Sequence, residues 1–214
     1  MKKIWIIGLG RFGLHAVRYL SKKDQDIQFV LVDPVEANLM QAAGPNRRLE
    51  PADGVVFLER NLGTDERPDW IIPALPIHLA AEWCLAKQKS ERLSRVLLPA
   101  EIKPLLPNPL EASKGDIYVS HADFKCPGNC PEPRDICTVT QKPRKRNMFE
   151  ILADLKMPAF QSLVIRSHQL GPGIGGYRSV MLLELLERVK QARSNLLVST
   201  ACRCHGVVTG MTRI

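Results

Sequence analysis

The chain opens with a short apolar run, three closely spaced glycines and a stretch of helical periodicity. Residues 4–7 are all large and apolar, a pattern typical of a strand that is buried on both faces. Gly8, Gly10 and Gly13 follow in the spacing G-x-G-x-x-G. Over residues 14–20 the apolar positions recur every three or four residues, which predicts one buried helix face. The pattern is that of a strand, a tight turn and a helix.

The alternation of strands and helices continues over the first 98 residues. Further strands are predicted over residues 27–32, 55–58, 70–74 and 96–99, and helices over residues 35–43 and 77–89. Because parallel strands need crossover helices, this alternation predicts an α/β fold with a doubly wound, mostly parallel Rossmann sheet. We therefore assign residues 1–98 to a dinucleotide-binding Rossmann half.

A proline-rich segment interrupts this pattern over residues 99–148 and holds three cysteines. We interpret it as a Pro/Cys-rich insertion and a candidate for metal binding. Periodicity returns over residues 149–214, where we expect a second α/β part that completes the same sheet or forms a small C-terminal subdomain. The elements predicted in these two parts are strands over 117–119, 163–165, 196–198 and 207–208, a glycine-rich turn over 171–176 and a helix over 177–192.

The three glycines at the first turn suit a bound dinucleotide. Gly8 allows a sharp turn, Gly10 leaves room for a pyrophosphate, and Gly13 lets the helix pack close to the sheet. The free N–H groups at the helix N-terminus favour phosphates. Asp33 ends the second strand, where an acid accepts hydrogen bonds from the ribose hydroxyls and repels a 2′-phosphate. We therefore predict NAD(H) rather than NADP(H), against the alternative that the glycines serve tight packing only.

Composition limits the classes of partner. The chain has 214 residues and a formal net charge of +8, which suits an anionic ligand. The densest basic run, residues 142–146, lacks interleaved aromatic residues, so we interpret it as a solvated loop and expect no nucleic-acid binding. No apolar stretch approaches the roughly 20 residues that span a bilayer, and the early first strand leaves no room for a signal peptide. We expect a cytoplasmic protein without direct membrane insertion, whose thiols stay reduced.

Residues 6–13, Ile-Ile-Gly-Leu-Gly-Arg-Phe-Gly, closely resemble the opening of the RCK or TrkA N-terminal family, the regulatory domains of bacterial potassium-uptake systems. The resemblance covers roughly the first 35 residues. It implies a Rossmann fold that binds NAD(H) or adenine nucleotides and gates a membrane transporter by changing shape. By position, the resemblance implies that the phosphate site is formed by Gly8, Gly10, Arg11, Phe12 and Gly13. It also implies that Asp33 holds the adenosine ribose.

A second segment resembles a family of enzymes. Residues 69–80 are similar to the fourth strand and following helix of glucose–fructose oxidoreductase-like dehydrogenases. That resemblance implies that Pro76 and His78 lie on the nicotinamide side of the cofactor; the alternative is that His78 only flanks the helix. His121 and His168 are each expected close to the end of a strand, and histidine suits proton transfer near neutral pH. The candidate catalytic residues are therefore His78, His121 and His168.

Five of the six cysteines form two groups. They are Cys126, Cys130 and Cys137 in the proline-rich segment, and Cys202 and Cys204, with His205 beside them, in a predicted tight turn. Brought together, the groups suit a zinc ion bound as Cys₄ or Cys₃His, or an iron–sulfur cluster bound by four thiolates. Unligated or redox-active thiols are the alternative. The sixth cysteine, Cys84, is expected in the core.

Two functions remain open at this point. The first is a nucleotide-responsive binding protein, expected to be a homodimer that acts on a membrane transporter or another protein partner. The second is an NAD-dependent oxidoreductase whose small-molecule substrate lies between the nicotinamide and residues 99–176. The glycine-rich turn at 171–176 is either a second anion site or a turn needed for close packing.

Overall fold

The computed structural model describes residues 1–64, 66–112 and 114–213. In chain order, its elements are β1 (Lys3–Ile7), α1 (Arg11–Lys23), β2 (Gln28–Val32), α2 (Glu36–Gln41), β3 (Arg47–Glu50), α3 (Gly54–Asn61), β4 (Trp70–Pro73), α4 (Leu79–Lys87), β5 (Leu93–Arg95), a 3-10 helix (Ala100–Leu105), β6 (Leu110–Glu111), β7 (Ile117–Ser120), α5 (Met148–Ala153), β8 (Phe160–Arg166), β9 (His168–Gly171), β10 (Ile174–Arg178), α6 (Ser179–Gln191), β11 (Asn195–Ala201) and β12 (His205–Arg213). None of the described helices is long and apolar enough to cross a membrane.

The first sheet has the strand order β3-β2-β1-β4-β10-β9. Strands β1 to β4 run parallel, and in the centre Ile6 lies between Leu31 of β2 and Ile72 of β4. All three side chains are at most 3% exposed, as expected for strands that are covered on both faces. The predicted strands over residues 4–7, 27–32 and 70–74 are therefore confirmed within one or two residues.

Helix α1 covers one face of this sheet. Its buried positions are Gly13, Ala16, Val17 and Leu20, which lie on one side of the helix. This spacing agrees with the periodicity of the sequence, so the opening strand–turn–helix unit is present as predicted.

The strand predicted over residues 55–58 is wrong, because this segment is helix α3. The Asp53 carboxylate accepts hydrogen bonds from the Val55 and Val56 N–H groups at 2.9 and 3.1 Å, which caps the helix. Gly54 also lets α3 approach β1 closely, since a Cβ there would lie 2.3 Å from Ile7 Cγ2. A short apolar run does not by itself distinguish a strand from a buried helix. The third strand is instead β3, whose charged residues suit an edge.

The prediction of a doubly wound, mostly parallel sheet also needs correction. The fifth strand, predicted over residues 96–99, is β5 three residues earlier, and it pairs with β12 in the second sheet. The neighbour of β4 is β10, which runs antiparallel and belongs to a hairpin with β9. The first sheet is therefore parallel over four strands and antiparallel beyond them, and the fold is α/β with mixed sheets.

The second sheet has the order β6-β7-β12-β11-β8, with β5 pairing to β12. Strands β8 and β11 are parallel, whereas β11 and β12 form an antiparallel hairpin. The segment predicted as an insertion, residues 99–148, supplies β6 and β7 to this sheet, so its first part is integral to the fold. The longest stretch without a helix or strand in this segment is residues 121–147. The C-terminal part contributes strands to both sheets.

Candidate functional site

The glycine-rich turn after β1 combines two crowded positions with one open position. Gly8 has a φ of +94°, and a Cβ there would lie 2.8 Å from the Ala74 carbonyl oxygen. A Cβ on Gly13 would lie 2.0 Å from the Gly8 carbonyl oxygen. By contrast, a Cβ on Gly10 would meet no described heavy atom within 4 Å. Gly8 and Gly13 are thus required by the fold, whereas Gly10 faces free space.

A small cavity lies beside the first two turns of helix α1. Helix α1 begins after Gly10, which has no side chain to cap the first N–H groups of the helix. No acidic residue lies in the first turn of α1 among the described residues. The cavity has a volume of about 330 Å³, and its walls include Phe12, residues 72–76 and residues 173–175. It lies at the carboxyl end of β4, one of the two strands between which the chain order reverses, and beside the start of α1. Ligands of open α/β sheets bind in this crevice. We call it the crevice.

Asp33 lies at the tip of β2, as predicted, and is only 6% exposed. Its Oδ2 accepts a hydrogen bond from the Leu9 N–H at 2.7 Å. Its Oδ1 accepts bonds from the Val35 N–H at 2.9 Å and the Asn38 Nδ2 at 3.1 Å. The carboxylate therefore ties the glycine-rich turn to the loop after β2. A carboxylate has about four acceptor sites, so one remains beyond these three bonds.

A second, larger cavity of about 900 Å³ lies beside the crevice and shares Phe12 and residues 173–175 with it. We call it the thiol cavity, because five cysteines line it. Its lining includes Cys126, Cys130, Cys137, Cys202 and Cys204, together with His121, His168 and His205. The two cysteine groups that are far apart in the sequence thus face one space.

Residues 121–147, which hold Cys126, Cys130 and Cys137 and which we call the cysteine loop, are fixed to the β9–β10 turn. The Cys130 carbonyl oxygen accepts hydrogen bonds from Gln169 Nε2 at 2.6 Å and from the Gly173 N–H at 3.1 Å. Gly173 has a φ of +70°, and a Cβ there would lie 1.9 Å from the Gly128 carbonyl oxygen. The glycine-rich segment predicted as a turn before a helix is therefore a hairpin, and Gly173 permits a close backbone contact.

Backbone and side-chain donors surround the sulfur atoms of the β11–β12 turn. The Cys204 and His205 N–H groups donate to Cys202 Sγ at 3.3 Å each. Arg144 Nη2 donates to Cys204 Sγ at 2.9 Å. Glu132 Oε1 accepts the Arg203 N–H at 2.5 Å, which joins the proline-rich segment to this turn.

The surroundings of the thiols shift their pKa values in different directions. Burial and the Glu132 carboxylate raise the pKa of Cys202 to about 12. Burial, followed by the neighbouring Cys130 and Cys137 thiols, raises the pKa of Cys126. Hydrogen bonds from the Thr140 backbone and side chain lower the pKa of Cys137. No three His, Cys, Asp or Glu side chains in the described ranges converge as ligands of one metal ion.

Two of the three candidate histidines line the thiol cavity. Burial and the Arg144 charge lower the pKa of His121. Burial and the charges of Arg166 and Arg178 lower the pKa of His168. Both rings therefore favour the neutral form near pH 7.

His78 lies outside the linings of both cavities and is 2% exposed. Its Nδ1 and Nε2 are 2.7 and 2.8 Å from the hydroxyl oxygens of Thr209 and Thr200 in the second sheet. Thr209 in turn donates to Asp116 Oδ1 at 2.5 Å. Burial lowers the pKa of His78 to about 4. This residue joins α4 to the second sheet rather than facing a ligand. Cys84, also on α4, is fully buried in the core.

Sequence reasoning missed Arg144 as a functional position. It belongs to the basic run over residues 142–146, which was expected to be a solvated loop. Arg144 is instead partly buried and also donates to the Pro133 and Arg134 carbonyl oxygens at 3.0 and 2.8 Å. No local pattern separates Arg144 from its basic neighbours, because its partners are distant in the sequence.

Comparison with known proteins places the chain in a family. The family AF_1314_C, described as "Uncharacterized protein, C-terminal domain", matches residues 80–214, a range that includes all the cysteines. A protein of Archaeoglobus fulgidus, described as "Uncharacterized protein", is 30% identical over 224 residues, which cover 97% of this chain and 98% of that protein. No solved structure matches the chain. The chain therefore belongs to the AF_1314_C family.

Proposed function

We propose that the protein binds NAD(H) across the carboxyl ends of β1 and β4 and acts as a nucleotide-responsive binding protein. The observation that carries this proposal is the contrast among the three glycines. Gly8 and Gly13 have no room for a side chain, whereas Gly10 faces open space at the N-terminus of α1. A pyrophosphate at Gly10 would accept hydrogen bonds from the first N–H groups of the helix and benefit from its dipole.

The two ends of the dinucleotide have different surroundings in this proposal. The adenosine ribose lies near Asp33, whose remaining acceptor site suits a ribose hydroxyl. The nicotinamide lies on the β4 side, in the crevice beside Phe12 and Gly173. A buried carboxylate at the ribose would disfavour a 2′-phosphate, so NADH is expected to bind more tightly than NADPH.

The shared walls of the two cavities supply a route for a response to the nucleotide. A ligand in the crevice would contact residues 173–175, and Gly173 also holds the cysteine loop through the Cys130 carbonyl. Binding is therefore expected to stabilise the hairpin and the loop attached to it. In keeping with the resemblance to RCK or TrkA N-terminal domains, we propose a homodimer that transmits this change to a transporter or another protein partner.

An NAD-dependent oxidoreductase is the second candidate function. The observation that favours it is the position of His121 and His168 in the cavity that adjoins the nicotinamide end. A neutral histidine there suits proton transfer to a substrate. An oxidoreductase would consume NADH when supplied with an acceptor, whereas a binding protein would bind NADH without turnover.

The variant Gly10→Glu tests the proposed function. Its side chain begins in open space, so the fold should be kept. The added negative charge would repel the pyrophosphate expected at this position. A fluorescence titration with NADH should show saturation for the wild type and at least a roughly tenfold weaker affinity for the variant. Gly128→Glu is the matched control, because Gly128 is equally open but lies in the cysteine loop. Unchanged affinity in Gly10→Glu, or no binding by the wild type at millimolar NADH, would contradict the proposal.

A further inference from the structure

The thiol cavity carries an inference that does not depend on nucleotide binding. We infer that it is the site of an iron–sulfur cluster bound by Cys126, Cys130, Cys137 and Cys204. These cysteines come from two segments separated by more than 60 residues, yet all four line one space of about 900 Å³. Their loop and turn are joined by Glu132 and Arg144, which each bond to both segments.

The placement of the thiols around one cavity favours a cluster over a single ion. A tetrahedral zinc ion needs four ligand atoms at about 2.0–2.3 Å from one point. Among the described residues, no three such side chains converge on a point. In a cluster of four iron and four sulfide ions, each thiolate binds a different iron atom, so the cysteine sulfur atoms surround a volume instead of meeting at its centre. Thiols that line one cavity without converging on a point suit such a cluster better than a single ion.

The charges around the cavity favour an anionic centre. Four basic residues of the run 142–146 line it, against the two carboxylates of Asp123 and Glu132. An iron–sulfur cluster with four thiolate ligands carries a net negative charge, which these cations would balance. Arg144 contributes directly, since its Nη2 donates to Cys204 Sγ at 2.9 Å. Hydrogen bonds to sulfur are one of the ways in which proteins stabilise such clusters.

The fifth cysteine of the cavity, Cys202, is the one we leave out of the ligand set. Its Sγ accepts hydrogen bonds from the Cys204 and His205 N–H groups of its own turn, at 3.3 Å each. Cys204 Sγ instead accepts a hydrogen bond from the Arg144 side chain of the proline-rich segment, at 2.9 Å. Cys202 therefore positions Cys204 without binding iron.

The experiment is anaerobic reconstitution of the full chain with ferrous iron and sulfide. We expect about four iron atoms and four acid-labile sulfides per chain. The reconstituted protein should be brown and absorb broadly in the visible range. Cys126→Ser, Cys130→Ser, Cys137→Ser and Cys204→Ser should each lower the bound iron roughly tenfold. Cys202→Ser and Cys84→Ser should keep the cluster, and circular dichroism of every variant should match the wild type before reconstitution.

Three results would overturn the inference. The first is a wild type that binds no iron or sulfide. The second is a Co²⁺ titration that fills one tetrahedral thiolate site per chain while reconstitution yields no cluster, which would indicate a zinc site. The third is a full iron content in Cys126→Ser, or its loss in Cys202→Ser, which would refute the ligand set. NADH binding does not require the cluster, so measuring it on the same samples tests the nucleotide proposal independently of the cluster proposal.

Discussion

The glycine-rich turn and the cysteine loop lie beside each other, yet they are held in place in different ways. The turn is fixed by its own crowding: Gly8 and Leu9 are buried, and Gly13 packs directly against Gly8. The cysteine loop, residues 121–147, has no helix or strand among the described residues. It is held by hydrogen bonds to distant partners, among them Gln169 and Gly173. A tightly packed turn borders a loop that depends on a few polar contacts.

This difference suggests separate roles for the two regions. A preformed turn binds a ligand without first paying for ordering, which suits a nucleotide that exchanges. A loop with few packed side chains gains stability from whatever joins its ends, and bound metal is one such ligand. The two regions share a wall at Gly173.

The largest effect is expected where the packing of the turn leaves no room. Gly13→Ala would place a Cβ 2.0 Å from the Gly8 carbonyl oxygen, so we expect a loss of at least about 3 kcal/mol in the free energy of unfolding. Urea unfolding followed by circular dichroism measures it. Gly10→Ala is the control and should lose no more than about 1 kcal/mol, because Gly10 is the N-cap of α1 and alanine is a poorer N-cap than glycine. Equal losses in both variants would show that the crowding at Gly13 is not the cause.

His78 tests how firmly the first sheet's helix α4 is joined to the second sheet. Its pKa of about 4 in the folded protein is below the ordinary 6.5, so the unfolded chain takes up the proton first as the pH falls. The contribution of neutral His78 to the free energy of unfolding is complete above pH 6.5. It is lost as the pH falls from 6.5 to 4, to a total of about 3 kcal/mol. In His78→Gln this part of the pH dependence should disappear. Parallel stability curves for the two proteins would contradict this explanation.

The attachment of the cysteine loop to the hairpin can be broken at one position. Gly173→Ala would force a Cβ to 1.9 Å from the Gly128 carbonyl oxygen at a left-handed φ, which we expect to cost about 2 kcal/mol locally. The loop should then detach, and the cysteine thiols should react roughly tenfold faster with a thiol reagent. Gly128→Ala, which meets open space, should react like the wild type. Equal labelling rates in Gly173→Ala and the wild type would place the attachment elsewhere.

The smallest effect is expected from a single arginine of the basic run. Arg144 donates two hydrogen bonds within the proline-rich segment and a third to Cys204 in the β11–β12 turn, so Arg144→Gln should lower the free energy of unfolding by about 1 kcal/mol. Arg146, which is half exposed and pairs with Asp154, is the control. Arg146→Gln should change stability by less than about 0.5 kcal/mol. A larger loss in Arg146→Gln would reverse the ranking of these two contacts.

Features that depend on residues close together in the sequence could be predicted, whereas features that depend on distant residues could not. The turn at Gly8, Gly10 and Gly13 was predicted because the crowding that requires Gly8 and Gly13 comes from within a few residues of them or from the end of the adjacent strand. Asp33 was placed at the tip of β2 by strand periodicity alone. The segment over residues 55–58 was mistaken for a strand because its four apolar residues outweighed the capping signal of Asp53.

The second sheet and the thiol cavity could not be derived in the same way. The pairing of β7 with β12 joins residues about 90 positions apart, and nothing local in either strand specifies it. The sequence indicated two cysteine groups, but only the fold shows that they line one cavity. For the same reason, the local pattern gave no sign that Arg144 contacts Cys204.

Hydrogen–deuterium exchange with and without NADH tests the proposed nucleotide site most directly. Bound NADH should slow exchange at the N–H groups of residues 9–14, next to Asp33 and in the hairpin around Gly173, and Gly10→Glu should abolish this protection. Protection confined to other parts of the chain, or none at saturating NADH, would contradict the placement of the dinucleotide at the first glycine-rich turn.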